Sequence, residues 1–296
     1  MLKVDEFASA FRAADKKVFH LQPPKVKRVM VVTDLDTEGP FTSTYPTGDV
    51  ALTAFVDAVK SLLVSLGEDV EYVPVHGSRY EDVESLLTAV MDTSPDLIVS
   101  YRNLRDPHWR WGYSLGSLTS VLTTETPEPV VLVPNPHEHP DLPFKRSKTD
   151  SVMVITDHLA GDDALTNWGI ALTSDSGKLW LAHVEDDAVF ERYIDIIGKL
   201  PSIDTDNARD KILERLLKEP RDYIGRIREA IESAELSLEL GEVITTGHRV
   251  RDYTTITGQH GVDLLCLHTS DDEQLAMHGA AYALAVELRA LPMLLL

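Results

Sequence analysis

One cysteine, four tryptophans and 28 basic residues against 48 acidic ones mark what this 296-residue chain has little of. A single Cys266 can form no disulfide within the chain, which excludes a disulfide-stapled scaffold and favours a reducing compartment. It sits in the apolar run 263–267, where a thiol behaves as a small buried hydrophobe with blunted reactivity. The shortage of basic residues leaves a formal net charge of -20, and nucleic acid and anionic membrane surfaces repel such a chain. No stretch approaches the roughly 18 consecutive apolar residues that a membrane span needs. The opening Met1-Leu2-Lys3-Val4-Asp5-Glu6-Phe7-Ala8 lacks the basic start and unbroken apolar core of a secretion signal. These absences predict a soluble cytoplasmic protein with neither nucleic acid nor membrane among its partners.

What the chain does have is a repeat. The hexapeptide Val-Met-Val-Val-Thr-Asp ending at Asp34 returns as Val-Met-Val-Ile-Thr-Asp ending at Asp157. Self-similarity of this kind implies two copies of one structural unit. In the first copy, a buried-type strand at 29–33 is followed by a helix in which Leu52, Phe55, Val56, Val59, Leu62, Leu63 and Leu66 recur at three and four, with Gly67 placed to end it. A strand at 70–75, a helix over about 80–91, a strand at 96–100, a helix around Leu115 to Leu122 and a strand at 129–133 complete the unit. The second copy repeats the order, with strands at 152–156, 179–184, 236–244, 262–267 and 292–296 and helices at 163–173, 251–259 and 273–290. It also carries a helical insert over 187–235, with apolar stripes broken at Pro201 and Pro220.

Continuous Val/Ile/Leu strands alternating with helices predict parallel sheets covered on both faces. The fold class is therefore α/β, with two doubly wound, Rossmann-like domains in tandem. Residues 1–27 form an N-terminal extension with a short helix carrying Phe7, Ala8, Phe11 and Ala14 on one face. Residues 28–135 are the first and shorter domain, lacking one strand and the helix before it. Residues 136–149, rich in proline and polar groups, read as a linker, and 150–296 are the second domain. In such sheets ligands sit beyond the carboxyl ends of the strands, where strand order reverses. Those ends carry Asp34, Ser100 and Tyr101 in the first copy, and Asp157, Val184, His268 and Thr269 in the second.

The stretch from Leu115 through Gly116, Ser117 and Pro129 to Val133 resembles the closing helix and strand of the universal stress protein family, as does the stretch from Gly279 to Leu296. In both, the glycine lies 13 residues before the proline that opens the last strand. The preceding Asp96-Leu-Ile-Val and Asp263-Leu-Leu-Cys resemble that family's Asp-Leu-Ile-Val strand, and the repeated strand ending in Asp34 or Asp157 resembles its first. The match covers nearly the whole chain from Val29 onward, apart from the linker, and implies a tandem member of the family. It further implies a regulatory binding protein rather than an enzyme. The two copies are expected to pair through their final strands, 130–133 and 293–296, as an intramolecular pseudo-dimer that itself forms a homodimer.

The family's ATP-binding members carry Gly-x2-Gly-x9-Gly-Ser/Thr after the fourth strand, where backbone amides and a helix N-terminus close on phosphates. An aspartate ending the first strand holds adenine or ribose. The resemblance thus implies ATP or another adenine nucleotide as ligand, held by Asp34, Ser100, Gly116 and Ser117 in one copy and by Asp157, Val184, His268 and Gly279 in the other. Both copies depart from the motif. The first replaces the glycine loop with Tyr101-Arg-Asn-Leu-Arg-Asp-Pro-His-Trp-Arg-Trp-Gly112, and the second sets Asp271, Asp272 and Glu273 where phosphates would lie, which would repel a triphosphate.

Arg102, Arg105, Arg110, Trp109 and Trp111 form a concentrated basic and aromatic stretch in an otherwise acidic chain. One reading is an anion or nucleotide site in which guanidinium forks stand in for glycine amides and an indole stacks on a base. The other is a loop anchored on the opposite domain by its tryptophans, its arginines paired to surplus acids. His137 and His139, with Asp141 nearby, have the spacing of a zinc pair but no visible third and fourth ligands, so no metal is expected. Asp157-His158 has no nucleophile in a supporting loop, so no catalytic residue is assigned. The runner-up is a nucleotide-dependent small-molecule enzyme on the same fold, and a third reading is a ligand-free partner-binding module.

Overall fold

The computed structural model describes residues 18–35, 49–106, 113–139, 141–142, 144, 148–155, 163–199, 205–269, 277 and 279–296, with backbone alone at 49–51 and 205–207. Nine strands form a single sheet. They are β1 (Arg28–Val32), β2 (Glu71–Val75), β3 (Leu97–Tyr101), β4 (Val130–Val133), β5 (Ser151–Ile155), β6 (Lys178–Asp186), β7 (Glu239–Gly247), β8 (Leu264–Leu267) and β9 (Met293–Leu295). The helices among the described residues are α1 (Asp49–Leu62), α2 (Val83–Thr93), α3 (Ser117–Thr124), α4 (Ala164–Leu172), α5 (Asp187–Ile197), α6 (Thr205–Ser233), α7 (Arg249–Gln259) and α8 (Gly279–Glu287).

Strand order across the sheet is β2-β1-β3-β4-β9-β8-β5-β6-β7. Every neighbouring pair is parallel except β4 and β9, which run antiparallel with Val130 opposite Leu295, Val131 opposite Leu294 and Leu132 opposite Met293. The two final strands therefore meet as the sequence predicts, and their uniformly buried side chains are hidden from an edge that would otherwise invite aggregation. The order β2-β1-β3-β4 is repeated as β6-β5-β8-β9, and among the described residues β7 has no counterpart in the first half. That is the missing strand expected of the shorter copy.

The repeated strands are buried because both faces are covered. Val29, Met30, Val31 and Val32 are fully buried, each worth roughly 1.5–3 kcal/mol in removal from water. Right-handed crossovers put α1, α4 and α6 on one face and α2, α3, α7 and α8 on the other. Phe55 of α1 packs edge-on against Tyr101 at 5.5 Å, and Tyr223 of α6 hydrogen-bonds Thr166 of α4 at 3.2 Å. Mid-helix Gly169 lets α4 approach β5, since a Cβ there would lie 2.4 Å from Cγ2 of Val154. The repeated Asp-Leu-Ile/Leu signal also has a physical basis. Asp96 accepts from the amides of Lys27 and Arg28 at 2.7 and 2.9 Å, and Asp263 accepts from Ser151 N–H at 3.0 Å. Each aspartate pins the start of the first strand in its half.

Of three expectations, two change and one falls outside the described residues. The insert is not broken at Pro220: α6 runs through it as one helix of 29 residues. A proline inside a helix costs about 3 kcal/mol, but Tyr223, Ile224, Ile227 and Ile231 just beyond it form a buried stripe, and packing of that stripe outweighs the local penalty. Pro201 lies outside the described residues. The N-terminal helix at Phe7 to Ala14 also lies outside them, and the chain from 18 to 27 has no helix. Instead it crosses to the second half: His20 N–H donates to Asp163 at 2.9 Å, Gln22 N–H donates to Asn167 at 2.7 Å, and Phe19 packs on Tyr223. Third, the segment read as a linker is not a free spacer. Asn135, Leu142, Phe144 and Thr149 are all buried, so this chain is packed against the body it connects.

Candidate functional site

Antiparallel pairing at the seam points the carboxyl ends of the two parallel sets in opposite directions. The predicted site residues therefore fall into two groups at opposite ends of the sheet and cannot line one pocket. In the first half the strand order reverses between β1 and β3, so the crevice expected of a doubly wound sheet lies where Asp34 and Tyr101 follow or end those strands.

Asp34 is buried there within a polar network. Tyr101 Oη donates to its Oδ1, His137 Nε2 lies 3.1 Å from the same oxygen, and Arg105 N–H donates to Oδ2 at 2.9 Å. Asp34 N–H in turn donates to Tyr101 Oη at 2.9 Å, and Tyr80 Oη donates to the carbonyl of Thr33 at 3.1 Å. Burial alone would raise the Asp34 pKa, but the hydrogen bond and charge of His137, then Tyr101 and the Arg105 amide, outweigh it and hold the carboxyl below its ordinary range. Burial first, and the Asp34 charge second, push the phenols of Tyr101 and Tyr80 above theirs. The chemistry at hand is an ionised carboxylate held by hydrogen-bond donors on every side.

Arg105 turns inward from a left-handed backbone (φ 55). Its guanidinium donates to the carbonyls of Gly77, at 2.5 Å, and Tyr80, and lies 5.5 Å from the Tyr80 ring centroid, a cation–π distance. Arg102 takes a different course. It is 3 % exposed and crosses the seam, donating to the carbonyls of Ala285, Arg289 at 3.1 Å and Leu288 at 3.3 Å. Burial, with Arg289 beside it, pushes its pKa down to about 10, against the opposing pull of Glu138. Arg102 does reach the other half, but its partners are the carbonyls ending α8 rather than the acids expected of a loop anchored by its tryptophans. Trp109, Arg110 and Trp111 lie outside the described residues.

The two repeated glycines have diverged. Gly116 has φ +84, and a Cβ there would lie 2.8 Å from Cα of Asn103, so the loop 102–105 can close over α3 only with glycine at this position. Gly279 opens α8, and a Cβ added there would meet nothing within 4 Å among the described residues. Ser117 is exposed at the first turn of α3. Ser100 Oγ and Asn103 Oδ1 are buried without a hydrogen-bond partner among the described residues.

In the second half the order reverses between β5 and β8, which leads to Asp157 and His268. Asp157, with the acids Asp271, Asp272 and Glu273, lies outside the described residues. His268 is half-buried, and Thr269 after it donates to the Leu296 carbonyl through both its amide, at 2.8 Å, and its hydroxyl, at 3.0 Å. Val184 N–H donates to Tyr253 Oη at 3.0 Å, and His183 lies 3.3 Å from Glu185. A concavity of about 420 Å³ lies elsewhere, against α2, lined by Arg79, Asp82, Glu84 and Asp92 among others, and none of the predicted site residues lines it.

Sequence reasoning did not assign Tyr80 or His137 to the site. His137 reaches Asp34 across 103 positions of chain, a contact that no local pattern encodes, and Tyr80 reads as a helix start. Among the described residues no group of three or more His, Cys, Asp or Glu could hold a metal ion, and no helix is long and apolar enough to cross a membrane.

No protein-family model and no curated protein matches the chain. Among solved structures, it is similar to a functionally unknown protein from Pseudomonas aeruginosa PAO1, with 10% identity, 96% of this chain and 94% of that one covered, and a TM-score of 0.46. It is also similar to a universal stress protein from Archaeoglobus fulgidus DSM 4304, with 12% identity, coverage of 91% and 85%, and a TM-score of 0.46. Likenesses of this size add nothing to the fold that the strand order already establishes.

Proposed function

We propose that the chain is a tandem universal stress protein acting as a cytoplasmic regulatory binding protein rather than an enzyme, with an adenine nucleotide as its ligand class. The observation that carries this reading is the antiparallel pairing of β4 with β9, which joins two doubly wound halves of matching strand order into one pseudo-two-fold sheet. That is the arrangement the sequence resemblance implies. The reading against catalysis rests on the use of the strand-end groups: Asp34, Tyr101 and Arg105 are bound to one another or to backbone, a holding arrangement rather than a nucleophile paired with a base.

The half better suited to exchangeable ligand is the second, because among the described residues nothing approaches the glycine opening α8, while the first crevice is filled by protein groups. The acids that follow β8 in sequence disfavour polyphosphate, so adenosine and AMP are expected to bind in preference to ATP. The test is a thermal-shift and calorimetric screen of the full chain with adenosine, AMP, ADP, ATP and cyclic nucleotides, with and without Mg²⁺, alongside an assay for nucleotide turnover. Saturable binding without turnover is expected; steady hydrolysis would establish the enzyme reading, and absence of any binding would favour the ligand-free module. A homodimer of the whole chain is expected by sedimentation.

A further inference from the structure

We propose that the stretch carrying Asn135, His137, Leu142 and Phe144 is an intrachain occupant of the first crevice, a strap in which His137 fills at Asp34 the place of a ligand's hydrogen-bond donor, so that the first half binds only when the strap lifts. This rests on the reading above in one respect, that the crevice at the strand-order reversal is a ligand position.

The strap lies where that reversal occurs. His137 and Asp34 are 9% and 6% exposed in their side chains and 3.1 Å apart, and the imidazole stands edge-on to Tyr101 at 6.4 Å between centroids. Groups that meet Asp34 come from separate places in the chain: Tyr101 from β3, Arg105 from the loop after it, and His137 from the strap. His137 belongs to the chain between the two repeats, so its displacement disturbs none of the repeated strands and helices.

The strap is preshaped and fastened. Asn135 Nδ2 donates to the Arg102 carbonyl at 2.7 Å, and its Oδ1 accepts from His137 N–H at 2.7 Å. His139 N–H donates to the Asn135 carbonyl at 2.8 Å. At its far end Phe144 packs edge-on to Phe55 at 6.0 Å. Between these, Glu138 forms an ion pair with Arg289 of the second half at 2.8 Å. A group tethered this closely competes at an effective concentration in the millimolar range, and a ligand's apparent affinity falls in proportion to the closed fraction. The Glu138–Arg289 link, next to the carbonyls that Arg102 binds, ties the closed state to the seam.

The experiment uses the full chain and two variants that loosen the strap differently: His137→Ala removes the occupant, and Glu138→Gln releases the fastening while leaving Asp34 and His137 untouched. Hydrogen exchange at the His137 and His139 amides reads the strap, and adenosine and AMP are the probes. Both variants are expected to exchange at least about tenfold faster at those amides, and 5 mM adenosine, a concentration on the order of the tether's own, is expected to protect residues 31–34 and 101 in the variants but not in the parent chain. Unchanged exchange in Glu138→Gln would overturn the proposal, as would loosened straps with no adenosine protection at Asp34 and Tyr101. Nucleotide protection confined to residues of the second half tests the proposed function separately, so failure of one is not failure of the other.

Discussion

Replacing Arg102 tests the seam more sharply than any strand substitution, because its free-energy terms can be separated. The guanidinium is buried, and its fall to a pKa of about 10 is worth about 3 kcal/mol against the charged form. Against that stand charge-assisted hydrogen bonds to the carbonyls of Ala285, Leu288 and Arg289, at about 1.5–3 kcal/mol each, and the favourable placing of a cation at a helix C-terminus, about 0.3–2 kcal/mol. The sum is favourable by about 2–8 kcal/mol, and truncation is costly, because the carbonyls stay buried and lose their donor. Arg102→Met keeps the volume, removes the desolvation cost and strands the carbonyls, so a loss of about 2–4 kcal/mol is expected. Arg102→Ala adds a cavity and should lose more, and Arg102→Lys should fall between Met and the parent, since a single ammonium cannot span three acceptors. Urea unfolding followed by tryptophan fluorescence and far-UV circular dichroism measures all three. A Met variant within about 0.5 kcal/mol of the parent would refute this reasoning, because the carbonyls would then have no need of the arginine; apolar replacements of buried charges are neutral elsewhere for that reason.

Four further outcomes follow from the geometry. Gly116→Ala, with φ +84 and a Cβ 2.8 Å from Asn103 Cα, is expected to lose about 2–3 kcal/mol in the same unfolding assay, while Gly279→Ala should be neutral or slightly stabilising. Pro220→Ala restores a donor within α6 and should raise the melting temperature, measured by calorimetry, from a gain of up to about 3 kcal/mol. Leu294→Lys puts a charge opposite Val131 in the seam and should split unfolding into two transitions or prevent folding; a single unshifted transition would contradict the continuous sheet. Because the pKa of Asp34 is lowered in the folded chain, its contribution is fully present above the unfolded value of about 3.9 and is lost as pH falls through the folded value. Asp34→Asn should therefore flatten the stability profile below about pH 5, measured by urea midpoints from pH 6 to 3.

The repeat and the alternation of strand and helix were legible because they are local: a buried parallel strand needs a continuous apolar run whatever lies next to it. The seam was legible for a related reason, since strands 130–133 and 293–295 are apolar on both faces and a strand of that kind cannot end a sheet in water. Pro220 misled because propensity weighs one residue, whereas the buried stripe from Tyr223 to Ile231 decides the helix. The role of Arg102 was half legible: its placement after β3 was sound, but whether it meets an anion or a set of carbonyls depends on where α8 ends, 183 residues away. His137 was the least legible, because the proline-rich stretch around it has the composition of a spacer and only the fold reveals what it covers.

A pseudo-two-fold sheet couples the halves in stability and separates them in chemistry. The seam makes β4 and β9 each other's neighbour on that side, so a mutation that unfolds either half exposes the other's last strand, and both copies of the fold are held under the same constraint. The crevices, however, open at opposite ends of the sheet, so nothing in the packing forces them to keep the same residues. That freedom accounts for the divergence of two glycines at equivalent positions, one fixed by a 2.8 Å approach and the other approached by no described residue. It also explains how the strand-end aspartate of the first half can become a fastening for the chain that links the halves, a demand that the opposite end of the sheet does not share. Duplication preserved the frame through the shared seam, and the two ends of that frame were left to specialise separately.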